Sequence, residues 1–328
     1  MGCISRRRFV QIGATLITAA RVAEAQQTSK VARIGFLGLA SASSSAKHLS
    51  ALRTGLRDVG YVEGKNIVID YRWAEGRYDR LADFAGELVR LKVAVLVTHG
   101  TPGALAAKHA TTTIPIVVAT SADAVASGIV ESLARPGGNI TGLTFFIPEL
   151  NAKRLEMFKE QLLSVSRIAV LVNPDNPAMV PITQAMELTA RSLKMALQQF
   201  PGRGVNEFEP AFSAMTKNRV EAVVVTEDPF FQANVDLLAG LALQKRLPSA
   251  GFREFAEAGG LFGYGAEIVG LFRRAAYFVD KILKGVPPAD LPIERPTKFE
   301  TIINVKTAKT LGLTIPKSLL LRADQVIE

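Results

Sequence analysis

Short apolar runs alternate with amphipathic stretches along almost the whole chain, and this alternation limits the possible folds more than any other feature. "VARIGFLGLA" (31–40) has the length and continuity of a buried strand, and "AKHLSALRTGLRDVG" (46–60) spaces its apolar residues as a helix does. The rhythm then repeats. "NIVIDYRW", "VAVLVTHG" and "IPIVVAT" read as strands, while "YDRLADFAGELVRL", 102–111 and 123–134 read as helices, the last closed by Pro136-Gly137-Gly138. Strands and helices alternating at this spacing require a parallel sheet with helices on both faces.

The second half restarts the pattern. "SRIAVLVNPDNPA" (166–178) parallels the first strand and its loop, and "EAVVVTEDPFF" (221–231) parallels "VAVLVTHGTPG". Ile114-Pro115 and Leu247-Pro248 each introduce a further strand. The fold class that follows is α/β, with two doubly wound parallel-sheet lobes of like topology. The segment "TGLTFFIPEL" (141–150) is the first crossing between them. A long helix over 266–283 and a Pro-rich return, "KGVPPADLPIERPTKFE", supply two more, so the crossings fall near Phe145, Gly265 and Glu294. Lobe 1 then comprises 30–145 plus 266–294, and lobe 2 comprises 146–265 plus 295–328.

The first 25 residues read as an export signal. Arg6, Arg7 and Arg8 precede a weakly apolar run (12–20) and the small-x-small site Ala23-Glu24-Ala25, and "SRRRFV" resembles the twin-arginine motif. Cleavage there implies a periplasmic protein, an uncleaved anchor being the alternative. It would remove Cys3, the chain's one cysteine, and with it disulfides, thiolate nucleophiles and cysteine-ligated metals. The segment's four Arg against one Glu carry +3, so the formal charge of +9 falls to +6. The basic residues are scattered rather than gathered in runs, which argues against a nucleic-acid partner.

Ligands of open parallel sheets bind beyond the carboxyl ends of the strands. Those ends collect Ala42-Ser43-Ser44, Gly100-Thr101 and Ser121-Ala122-Asp123 from the first half, and Asn173, Glu227, Asp228 and Tyr264 from the second. Free amides and helix dipoles at such turns suit a small carboxylate. Ser and Asp before helices are equally ordinary caps. Asp123, Glu227 and Asp228 are available to neutralise an ammonium group, and Phe145, Phe146, Phe230, Phe231, Phe252 and Tyr264 either enclose an apolar body or form core.

Catalytic signatures are missing. There is no G-x-S-x-G, no phosphate-binding G-x-x-x-x-G-K-[ST] and no G-x-G-x-x-G after a strand, so no catalytic residue and no cofactor is assigned. His99 has no second His or Cys at ligand spacing, so no metal is assigned, and it reads as a rim or packing residue rather than a general base.

Several long blocks carry a family resemblance: "GLRDVGYVEGKNIVIDYRWAEGRYDRL" (55–81), "GTPGALAAKHATTTIPIVV" (100–118), "GIVESLARPGGNITGLT" (128–144), "GFREFAEAGGLFGYG" (251–265) and residues 282–328. On these the chain resembles the solute-binding proteins of ABC-type importers, in the group related to binders of tryptophan and other aromatic substrates. The resemblance implies the two-lobed type I periplasmic-binding fold, lobe closure on a small carboxylate, a membrane permease as partner and a monomeric state. It places pocket turns at Gly100-Thr101 and at Ser121-Ala122-Asp123, where Ala122-Asp123-Ala124 replaces the family's usual Gly-Asp-Pro. A sensory module for a membrane receptor or a periplasmic enzyme would share the export signal. A sugar-binding transcription regulator of related fold needs a DNA-binding headpiece, for which only residues 26–30 remain ahead of the first strand.

Overall fold

A computed structural model describes residues 31–162 and 164–328. The expected export signal lies outside the described residues. The first sheet is built from β1 (Ala32–Gly38), β2 (Ile67–Trp73), β3 (Val95–Thr98), β4 (Ile116–Val118) and β5 (Ile140–Gly142), joined through helices α1 (Ala46–Asp58), α2 (Leu81–Arg90) and α3 (Gly100–Ala110). Its strand order is β2-β1-β3-β4-β5, and every pairing is parallel. The central strand β3 is buried at all four positions, because helices cover both faces. Edge strand β2 instead starts with the alternation of buried Ile67, exposed Val68 and buried Ile69.

The chain then passes through α4 (Ile147–Gln161) into β6 (Arg167–Val172), α5 (Met179–Ser192), β7 (Ala196–Pro201), α6 (Val205–Lys217) and β8 (Ala222–Val225). The short helix α7 (Pro229–Ala233), α8 (Val235–Gln244), β9 (Ser249–Gly251), α9 (Arg253–Glu257) and β10 (Phe262–Gly265) complete the parallel part. The order β7-β6-β8-β9-β10 repeats that of the first sheet, as the repeated sequence rhythm predicts. Two further strands, β11 (Glu300–Asn304), antiparallel to β10, and β12 (Gln325–Ile327), extend it to seven. The sequence reading did not identify these two.

Between the sheets runs α10 (Ile268–Leu283), which leaves β10 and packs on α1 of the first sheet. Gly55 makes that approach possible: a Cβ there would lie 2.3 Å from the Arg273 carbonyl oxygen. The chain crosses between the two sheets after β5, after β10, and again between Glu294 and β11. The first and third crossings lie side by side: Glu294 N–H donates to the Gly142 carbonyl at 2.9 Å, and Thr144 N–H donates to that of Glu294 at 3.0 Å. They form a two-stranded hinge.

One expected helix does not form. Residues 123–134 make turns, because Asp123 Oδ1 accepts the amides of Val125 and Ala126 at 2.9 Å each and Gly128 adopts φ +69°. The side chain thus takes the donors a helix would need, and the left-handed glycine reverses the chain.

Candidate functional site

The carboxyl ends of both sheets face each other across a cleft. From lobe 1 its wall is made of Gly100, Thr101, Thr120, Ser121, Ala122 and Phe145; from lobe 2 and the crossings come Asn176, Glu227, Gln232, Phe252 and Ala266. Ile147, Leu150 and Ile268 add apolar surface. About 510 Å³ of empty space lies within it, part of it open to solvent.

The first wall is made of dipoles. Helix α3 starts at Gly100, whose φ of +70° turns the chain sharply out of β3; its N–H is taken by the Thr120 carbonyl at 2.7 Å. His99 does not cap the helix through its side chain, Pro102 has no N–H, and Thr101, in the uncapped first turn, lines the cleft. Its hydroxyl accepts the Ala122 amide at 3.3 Å and so ties the two turns together. The Ser121 hydroxyl donates to Thr144 Oγ1 at 3.0 Å. Such a helix end favours a negative group.

The second wall is ionic. Arg154, fully buried on α4, holds Glu227 through both terminal nitrogens, one of the contacts being 2.9 Å to Oε2; Asn151 Nδ2 donates to the same oxygen at 2.8 Å. Arg154 also donates to the Tyr264 carbonyl. Asp228, fully buried, accepts from Asn176 Nδ2 and the Phe230 amide at 2.9 Å each and from Asn173 Nδ2 at 3.3 Å. A further donor comes from the opposite lobe: Tyr78 O–H bonds Asp228 Oδ1 at 2.9 Å. Burial raises the Asp228 carboxyl above its ordinary range against the pull of these donors, and burial followed by the neighbouring Asp228 charge drives the Tyr78 phenol well above 10. The lobes also touch where a Cβ on Gly76 would lie 2.6 Å from the Phe230 ring and one on Gly100 2.7 Å from Pro229. The lobes are thus closed on each other at this edge.

Of the residues chosen from sequence, Gly100, Thr101, Ser121, Phe145 and Glu227 line this cleft. Asn173 and Asp228 stand behind its wall, and the Asp123 carboxylate is spent on its own turn. The Tyr264 ring leans on Phe299, and its carbonyl serves Arg154. Ala42, Ser43 and Ser44 are not in the main cleft: Ser44 bonds back to Ser41, and Ser43 and Ser44 edge a side crevice. Among the aromatics, Phe208, Phe230 and Phe231 form core. His99 packs between Phe36 and Phe272 and accepts the Leu39 amide at 3.4 Å. Burial, aided by nearby His48, depresses it to about 3, so it is neutral at neutral pH.

Sequence reasoning missed Arg154, Asn151, Tyr78, Asn176 and Gln232. Arg154 had a signal: with Ile147, Leu150, Asn151, Leu155 and Phe158 it occupies the buried stripe of α4, where a charge requires a partner.

A profile of the family described as ABC transporter substrate binding protein matches residues 33–327. The chain belongs to that family. It is 25% identical over 287 residues to the tyrosine-binding protein of Clostridioides difficile, covering 87% of this chain and 82% of that relative. A conserved domain protein of Vibrio cholerae superposes with TM-score 0.84 at 28% identity, covering 90% of this chain and all of that one. An ABC domain in complex with L-Trp from Streptococcus pneumonia superposes with TM-score 0.82 at 26% identity, covering 90% and 99% of the two chains. The fold is of the type I periplasmic-binding class, with parallel-sheet lobes in α/β arrangement.

Proposed function

We propose that this protein is the periplasmic receptor of an ABC importer, capturing an aromatic amino acid or aromatic acid between its lobes and delivering it unchanged to a membrane permease. The observation that carries this reading is the cleft itself. An uncharged helix end at Thr101 suits a carboxylate, and Phe145, Leu150, Phe252 and Ile268 offer an apolar bed for a ring. The relatives named for tyrosine and solved with L-Trp support the same ligand class.

Gly100, Thr101, Ser121, Phe145 and Glu227 are the contacts assigned to the ligand; Asn173, Asp228 and Asp123 shape the turns behind them. Residues 30–145 plus 266–294 move as one lobe, 146–265 plus 295–328 as the other, and residues 1–25 direct export. Ligand held on the first lobe recruits the second, and only contacts made to both favour the closed form. Mass spectrometry of small molecules extracted from the purified protein tests the ligand class. An aromatic carboxylate supports it; a sugar or a metal ion as the bound species contradicts it.

A further inference from the structure

Most polar side chains on the second-lobe wall of the main cleft are already committed to the protein. Asn176 donates to Asp228 at 2.9 Å and accepts the Ala178 amide at 3.0 Å. Glu227 has its charge matched by Arg154, and that guanidinium together with Asn151 takes three of the roughly four acceptor positions of its carboxylate. Gln232 differs. It is half-buried on α7, and its backbone N–H donates to the Asp228 carbonyl at 2.9 Å, but its side-chain amide has no hydrogen-bond partner among the described residues.

The place of this free amide is defined by its neighbours. Gln232 follows the Asp228-Pro229-Phe230 segment, on which the first lobe rests through Tyr78, Gly76 and Gly100. With Phe252 and Ile268 it borders both the main cleft and a second crevice beside it. Phe252 and Ile268 also belong to the apolar bed of the cleft, so the amide stands beside the surface offered to a ring. A side-chain amide donates and accepts without carrying charge, and the ligand group that matches it in both respects is a hydroxyl. An ammonium or carboxylate at that position would lose water without gaining a counter-charge from the cleft wall, where Glu227 is matched by Arg154.

We propose that Gln232 is the specificity-determining residue of the second lobe, bonding a hydroxyl carried on the ligand's ring and so preferring hydroxylated aromatics to their unsubstituted counterparts. This rests on the receptor reading above, which leaves ring substitution open. The first lobe holds the carboxylate and the second lobe supplies this bond, so the bond forms only when the lobes close and adds to the affinity of the closed form.

Calorimetric titrations of the wild type and Gln232→Met test it with two pairs that differ by one ring hydroxyl: L-tyrosine against L-phenylalanine, and 3-(4-hydroxyphenyl)propionate against 3-phenylpropionate. The wild type should prefer the hydroxylated member of each pair by at least ~5-fold. Gln232→Met, of similar length but without the amide, should reduce that preference below ~2-fold while changing the affinity of the unsubstituted members less than ~3-fold. Equal wild-type affinity within the pairs overturns the proposal, as does a preference that survives in Gln232→Met or a loss that falls equally on both members. Pairs that bind without preference overturn the proposal alone, whereas failure of all four to bind overturns the aromatic reading and the proposal with it. Thermal melts exclude misfolding as the cause, and Gln232→Leu repeats the comparison with a second apolar side chain.

Discussion

The two walls of the cleft solve opposite electrostatic problems. Lobe 1 presents Gly100, Thr101, Thr120 and Ser121, all uncharged, and keeps His48 and His99 neutral behind them. Lobe 2 buries Arg154, Glu227 and Asp228. The contrast teaches that the same cleft is walled on one side by fixed dipoles and on the other by buried charges held in pairs. Backbone amides at a helix start need no compensation, whereas each buried charge must have a partner, in the protein or in the ligand.

The largest expected effect breaks the ionic wall. Arg154→Met leaves Glu227 buried without its guanidinium and should lower stability by about 3–5 kcal/mol in urea unfolding. Replacing both, Arg154→Met with Glu227→Met, should recover most of that loss, because an apolar pair of similar size replaces the ion pair. A double variant no more stable than the single would mean that the Arg154 contacts to Asn151 and Tyr264 matter more than the charge pair.

The walls should also respond to pH in opposite directions. Glu254 sits near 7 folded against an ordinary 4.5, so the folded state binds the extra proton, and stability falls as pH rises from about 4.5 through about 7. The loss is on the order of 3 kcal/mol when complete, and Glu254→Gln should abolish it. His48 and His99 sit near 4 and 3 folded against 6.5, so they lose stability as pH falls below 6.5, with the loss continuing down to those values. Thermal unfolding of the ligand-free protein from pH 4.5 to 8 reads both slopes, and the Gln variant isolates the histidine limb.

Smaller effects come from the seam between the walls. Tyr78→Phe removes the phenol that lobe 1 lends to Asp228, a bond worth about 0.5–1.5 kcal/mol, and should weaken ligand affinity by up to ~10-fold by disfavouring closure. Unchanged affinity would mean that this contact is not part of the closed form. Smallest is Asp123→Ala, which removes the two amide contacts at its turn: about 1 kcal/mol of stability should be lost, with affinity altered less than ~3-fold. A larger affinity loss would place this carboxylate on the ligand.

The parallel order of both sheets and the hinge beside Phe145 were legible in the sequence, because continuous apolar runs report strands buried on both faces. The turns at Gly100-Thr101 and Ser121 were legible as strand ends, and they line the cleft. The roles of the acids were not. Whether Asp123 faces a ligand or its own amides is decided by one Asx turn. Arg154 lay in view on an apolar stripe, but its partner Glu227 is distant in sequence, and no local pattern links them. The edge strand β12 escaped notice because a short exposed edge carries no strong period: Gln325 and Val326 are exposed.

The most direct test of the central claim is calorimetric titration of L-tryptophan and L-tyrosine into the protein, followed by recovery of the ligand and its mass spectrum. The account predicts saturable binding at one site per chain and a ligand recovered chemically unchanged. No binding of any aromatic carboxylate, or recovery of a product in its place, would contradict it.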